Sequence, residues 1–230
     1  MLSEKPGDPA PSNRQTEAPD KFSSQVSRGI LFVVSSPSGG GKGTLITRVL
    51  KSVPGVSYSV SFTTRAPRAG EVDGVDYFFV SPERFEQLVA TDEFLEWARV
   101  HGNLYGTSRE QVLREIAQRH DIILEVDVQG AASVRKLTAD IVSIFIVPPS
   151  FEVLRNRLIT RGTDSPVELE LRLRNAANEL RQYLAFDYVI LNDDAERASA
   201  QLASIINAER ARRQRQEQEV KLVAETFPAS

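Results

Sequence analysis

The apolar run Ile30-Leu31-Phe32-Val33-Val34 leads, through Ser35, into Ser36-Pro37-Ser38-Gly39-Gly40-Gly41-Lys42-Gly43-Thr44, and the helical spacing Leu45, Ile46, Val49, Leu50 follows. A short β-branched run reads as a buried strand and the 3.6-residue spacing as a helix, so the glycine cluster is the turn between them. Glycines let successive backbone N–H groups converge on one point, with no Cβ to keep an anion away. The helix start adds partial positive charge and Lys42 a full one, which suits the loop to polyphosphate. The usual phosphate-loop pattern begins with Gly and has Ser or Thr directly after Lys. Here Ser36 and Gly43 stand in those places, with Thr44 one residue later. A loop hydroxyl for magnesium is therefore available only from Thr44, and otherwise the ion is held by nucleotide oxygens and waters.

Composition fits this nucleus. The 230 residues, 41% hydrophobic and 26% charged, suit one α/β domain with small inserted lobes. A net charge of −3 argues against a nucleic-acid partner. The absence of cysteine excludes disulfides, a thiol nucleophile and thiolate metal sites. Apolar runs of about five residues are too short to span a bilayer, and the first residues lack a signal-peptide core. No membrane association and a cytoplasmic location are expected. Residues 1–28 hold four of the twelve prolines among polar residues, the composition of a disordered tail.

From Gly29 onward buried-type strands alternate with amphipathic helices. Ile30–Ser35 precedes a helix from about Lys42, Ile122–Val126 one from about Gly130, Ile141–Val147 one from Pro149, and Tyr188–Leu191 one from about Asp194. Strands that are apolar throughout, each followed by a helix, predict a parallel sheet covered on both faces, with ligands beyond the carboxyl ends of its strands. Two stretches interrupt the rhythm. Residues 57–107 carry short alternating patterns such as Tyr77-Phe78-Phe79-Val80, which predict a small antiparallel lobe; residues 155–172 are dense in arginine around an expected interhelical loop. Residues 196–225 read as one long polar helix whose Arg210, Arg212, Arg213 and Arg215, interleaved with Glu209, Glu217 and Glu219, form a solvated face. Phe94 and Trp97 are expected in the core. His101 and His120 lack metal-ligand spacing and are read as structural or surface residues.

In Ser61-Phe62-Thr63-Thr64-Arg65-Ala66-Pro67-Arg68-Ala69-Gly70-Glu71 two arginines stand three apart around a proline and can present guanidinium forks to one phosphate. This stretch occurs with Asp73-Gly74-Val75-Asp76-Tyr77-Phe78-Phe79-Val80, Phe94-Leu95-Glu96-Trp97-Ala98, Gly102-Asn103-Leu104-Tyr105-Gly106-Thr107 and Glu125-Val126-Asp127-Val128-Gln129-Gly130. Together with the phosphate loop, these segments, in this order and spacing from about Gly29 to Arg213, resemble the guanylate kinases.

The resemblance implies an ATP-dependent transferase acting on GMP by direct in-line phosphoryl transfer. It also implies three parts: a core (29–60 and 108–213), a GMP-binding lobe (61–107) and a lid near 155–172, followed by a polar extension (214–230). It assigns Ser61, Arg65, Arg68, Tyr77 and Tyr105 to the phosphate of GMP, and Glu96 and Thr107 to guanine. Asp127 falls near guanine and the magnesium region, while Glu125 stands where other members often have aspartate. Ser38, Gly39, Gly40, Gly41, Lys42, Gly43 and Thr44, with Arg157 and Asn192, are assigned to ATP. Lys42, Arg65, Arg161 and Arg172 are expected to act on the transferring group, Mg2+ to accompany ATP through Thr44 or through nucleotide and water, and no protein partner to be required. A carboxylate at 96 can accept from N1–H and the 2-amino group of guanine, a donor pair that adenine lacks. The competing readings are a non-catalytic peptide-binding module of the same fold and a kinase for another nucleoside monophosphate. The retained Lys42, Arg65 and Arg68 oppose the first, and Glu96 with Thr107 opposes the second.

Overall fold

The structure, a computed structural model, describes residues 28–100, 102–161 and 166–228. Residues 1–27 of the expected tail, His101 and the centre of the arginine-rich loop lie outside the described residues. From β1 (Leu31–Ser35) the chain passes through the glycine loop into α1 (Lys42–Ser52) and back to β2 (Val56–Tyr58). An inserted lobe follows, made of β3 (Phe62–Thr63), β4 (Phe78–Phe79), α2 (Pro82–Ala90), β5 (Phe94–Val100) and β6 (Asn103–Ser108). The core resumes with α3 (Arg109–Ala117), β7 (Asp121–Glu125), α4 (Val128–Leu137) and β8 (Val142–Val147). An arm of α5 (Phe151–Arg161) and α6 (Pro166–Leu180) precedes β9 (Tyr188–Leu191), α7 (Ala195–Arg210) and α8 (Arg213–Ala224).

The core sheet runs β2-β7-β1-β8-β9 and every pairing in it is parallel. Such a sheet needs cover on both faces. On one, Leu45, Ile46 and Val49 of α1 and Ala198, Leu202 and Ile206 of α7 pack against Phe32, Val34, Ile144 and Ile146. On the other, Val112 and Ile116 of α3 and Ala131 and Val134 of α4 pack against Leu31, Val33, Ile122 and Leu124. The glycine loop leaves the central strand at its carboxyl end, so both clefts described below open there. Among the described residues no helix is long and apolar enough to cross a membrane.

Three expectations need correction. The lobe sheet, ordered β4-β3-β6-β5, is mixed rather than antiparallel, because β3 and β4 pair in parallel. The long excursion from Thr64 to Tyr77 carries the chain back to the same end before β4 begins. Trp97 is not core: β5 is an edge strand, its register shifts between Phe94 and Glu96, and Trp97 faces outward, 47% exposed. Phe94 is buried as expected, in the lobe core with Phe85, Leu88 and Leu104.

The third correction concerns the last helix, which breaks between α7 and α8. Arg210 and Arg215 fasten it to the core, while Arg212 and Arg213 remain exposed, as expected of a solvated face. Arg210 Nε donates to Asp121 at 2.7 Å and its Nη2 to the Pro54 carbonyl at 2.9 Å. Arg212 pairs with the buried Glu209 at 2.8 Å, and Arg215 with Asp140 at 3.1 Å. The Gln216 side-chain amide donates to the Arg210 carbonyl at the bend. Asp121, itself buried, also accepts from the Ile30 N–H at 2.8 Å. One carboxylate thus joins the entry to β1, the start of β7 and the end of α7.

Candidate functional site

The glycine loop has the backbone that its composition requires. Gly39 and Gly41 sit at φ 85° and 93°, the left-handed region where a side chain is strained. A Cβ at Gly41 would stand 2.4 Å from the Asn192 amide nitrogen, and one at Gly40 2.7 Å from the Ser36 side chain. Asn192, at the end of β9, donates to the Gly40 carbonyl at 2.8 Å, and Arg157 on α5 donates to the Asn192 carbonyl at 2.9 Å. These two residues hold the outer side of the loop. The Asn192 Oδ1 is buried without a protein partner, which leaves it an acceptor for a ligand donor. Gly41 caps α1 with no side-chain hydrogen bond, so the amides of the first turn face the loop.

Two clefts meet here. The outer one is bordered by Gly39 to Thr44, Glu125, Asn156, Arg157 and Asn192. The inner one is bordered by Ser38, Lys42, Ser61, Arg65, Arg68, Tyr77, Glu96, Tyr105, Asp127, Arg172 and Glu179. Ser36, Gly39, Lys42 and Glu125 border both. Ser38 faces the inner cleft, where its N–H donates to Glu179 Oε2 at 3.0 Å. The side chain of Arg161, the last residue of α5, lies outside the described residues, whereas Arg172 on α6 borders the inner cleft.

In the inner cleft Arg65 is already organised. Its Nη1 and Nη2 donate to the Glu71 carboxylate at 2.9 and 2.8 Å, and the Arg68 N–H donates to the same carboxylate at 2.7 Å. Arg65 lies over the Tyr77 ring at 5.3 Å, and Tyr77 meets Tyr105 edge-on at 5.9 Å. Glu71 therefore ties both arginines of the segment into one turn. Burial first, then the nearby Glu125, pushes the Tyr77 hydroxyl up to about 12, so it stays a donor. Glu125 also accepts from the Tyr58 hydroxyl at 3.3 Å.

Glu96 sits on β5 opposite Thr107 of β6. It is 7% exposed, and the Thr107 hydroxyl donates to its Oε1 at 2.5 Å. Burial pushes the Glu96 carboxyl up to about 7; the Thr107 hydrogen bond opposes this, and Asp127 adds a further upward push. Thr107 is buried behind Glu96 and orients it. A Cβ at Gly130 would come within 2.6 Å of Glu96 Oε2, so the first turn of α4 closes on the carboxylate only because residue 130 is glycine. Asp127 caps that helix, accepting from the Gly130 N–H at 2.9 Å. The sequence motifs include both Gly130 and Glu71 with no role read for either, and Glu179 lies outside them. Glu71 lay within reach, since a carboxylate three and six residues after two arginines suggests a closed turn.

For a divalent metal the relevant oxygens are those of Thr44 and Glu125, which border the outer cleft. Glu125 Oε2 is 3.7 Å from where a Cβ on Gly43 would stand, so an acidic oxygen faces the place of the missing loop hydroxyl. Hard oxygen donors beside a phosphate loop fit magnesium.

Comparison with known proteins bears on what this geometry serves. The family model described as "Guanylate kinase" matches residues 28–209. The chain is 51% identical over 185 residues to the guanylate kinase of Symbiobacterium thermophilum, an alignment covering 80% of this chain and 88% of that one. It is 51% identical over 189 residues to the guanylate kinase of Neisseria gonorrhoeae, covering 82% and 92%. The crystal structure of guanylate kinase from Anaplasma phagocytophilum matches with a TM-score of 0.74 at 35% identity, covering 90% of this chain and all of that one.

Proposed function

The chain belongs to the guanylate kinase family, and from that premise we propose how its two clefts divide the transfer of a phosphoryl group from ATP to GMP. The outer cleft takes ATP, its phosphates wrapped by Gly39 to Thr44 with Ser38 at the inner end of the loop. The inner cleft takes GMP. The observation that carries this reading is that Lys42 borders both clefts, so one cation can follow the phosphoryl group from donor to acceptor.

Arg65 and Arg68 neutralise the GMP dianion, with Ser61, Tyr77 and Tyr105 as hydroxyl donors. Glu96, held by Thr107, accepts from guanine N1–H and the 2-amino group, and Asp127 flanks it. Arg157 and Asn192 brace the loop from the adenine side, and the free Asn192 Oδ1 suits the amino group of adenine. Arg161 and Arg172 of the arm supply charge to the transferring group. No covalent nucleophile is needed, because in-line positioning and charge neutralisation carry phosphoryl transfer. A divalent metal accompanies the nucleotide in this chemistry; we assign Mg2+, with Thr44 and Glu125 as the residues that would hold it directly or through water. When bound it supplies charge neutralisation at the donor phosphates.

A coupled assay of ADP release with GMP, AMP, CMP and UMP as acceptors tests this reading. Turnover with GMP far above the others is expected. Equal rates with AMP would remove Glu96 as base reader, and no turnover with any acceptor would favour a binding module.

A further inference from the structure

The Glu179 carboxylate has no place in the transfer just described, yet it touches the phosphate loop. It lies on α6 and accepts from the Ser38 N–H at 3.0 Å, across 141 residues of sequence. Backbone N–H groups of such a loop are the donors that phosphate oxygens use, and here a carboxylate holds one. The surroundings mark the contact as costly: burial raises the Glu179 carboxyl, with Asp127 adding to the rise, while the Ser38 N–H and Lys42 pull it down. Lys42 thus attracts both this carboxylate and any phosphoryl group that reaches the loop. Arg172 precedes Glu179 on α6 by seven residues, two helical turns, so both project from one face, and both border the inner cleft.

We propose that Glu179 is an internal competitor of phosphate: it occupies the Ser38 amide and shares the Lys42 charge, and polyphosphate must displace it, after which α6 presents Arg172 to the phosphates. One helix face then offers the loop an anion or a cation in exchange. This inference rests on the reading of the glycine loop as the phosphate site.

Inorganic tripolyphosphate, which carries no base, isolates the loop. Titrated calorimetrically at fixed ionic strength into the full chain, it should bind Glu179→Gln and Glu179→Ala ~3- to 30-fold tighter than the unaltered protein, as expected for removing one like charge a few ångströms away. The glutamine variant keeps the size and one acceptor oxygen, so it reports on charge even if the alanine variant folds poorly. The Ser38 amide proton should exchange slowly in the unaltered protein, quickly in Glu179→Ala, and slowly again once tripolyphosphate is added. A residue that merely braces α6 would weaken binding when removed, so equal or weaker affinity in both variants overturns the proposal. No binding to any of the three proteins would overturn the phosphate-loop reading itself, and this proposal with it.

Discussion

Glu96 joins two demands at one atom pair. Its carboxyl is raised to about 7 chiefly by burial, so the folded state favours the protonated form. That form costs nothing below pH 4, whereas the ionised form imposes a penalty that grows as pH rises from about 4.5 through 7 and reaches about 3 kcal/mol above that range. Glu96→Gln should therefore melt higher than the unaltered protein at pH 8 and at the same temperature at pH 4, as thermal denaturation at the two pH values would register. Reading guanine requires the ionised form, so the same substitution should lower kcat/KM for GMP by about 10- to 100-fold through a donor facing donors. The AMP-to-GMP activity ratio should rise with it. Equal loss for both acceptors would make Glu96 a support of the lobe. Lys42→Ala removes the cation common to both clefts and should reduce kcat at least ~100-fold, and near-normal turnover in a folded variant would exclude this site.

Among the elements, the turn from Arg65 to Glu71 has its geometry set before any phosphate arrives, because one carboxylate fastens both arginines. Glu71→Ala should raise the KM for GMP several-fold while leaving the KM for ATP near its original value, since the outer cleft does not include this turn. Steady-state kinetics with each substrate varied in turn would separate the two; a matched rise in both would place the effect in the fold. The glycine loop was legible in the sequence because its information is local: composition, one lysine and two flanking periodicities. Four of the five parallel strands were legible for the same reason; β2 was not, being only three residues long, with Ser57 and Tyr58 in the stretch expected to form the lobe. The bend before α8 was not, because the ion pairs on either side of it, Arg210 with Asp121 and Arg215 with Asp140, join residues 89 and 75 apart in sequence. Trp97 misled because an aromatic on a strand carries no mark of edge or centre. The place of Thr107 behind Glu96 depends on strand register, and that of Glu179 on a contact between residues 141 apart in sequence.

For the molecule as a whole, stability and catalysis are fastened at different places. The clefts lie at the carboxyl ends of the core strands, whereas Asp121 stands at the start of β7, at the opposite end of the sheet. Arg210→Ala would leave a buried carboxylate with one charged partner fewer, and should cost about 1–3 kcal/mol in urea denaturation, with turnover under native conditions little changed. A proportionate fall in turnover would show that the two ends of the sheet are coupled. The Asp121 clasp also has a temporal side. A chain is made from its amino end, so β1, the glycine loop and the inserted lobe leave the ribosome long before Arg210 does, and until then Asp121 holds Ile30 without its counter-charge. The domain should accordingly become protease-resistant in a single late step, when α7 emerges, rather than strand by strand; arrested nascent chains of increasing length, probed by brief proteolysis, would reveal that step, and resistance already complete before α7 emerges would refute it.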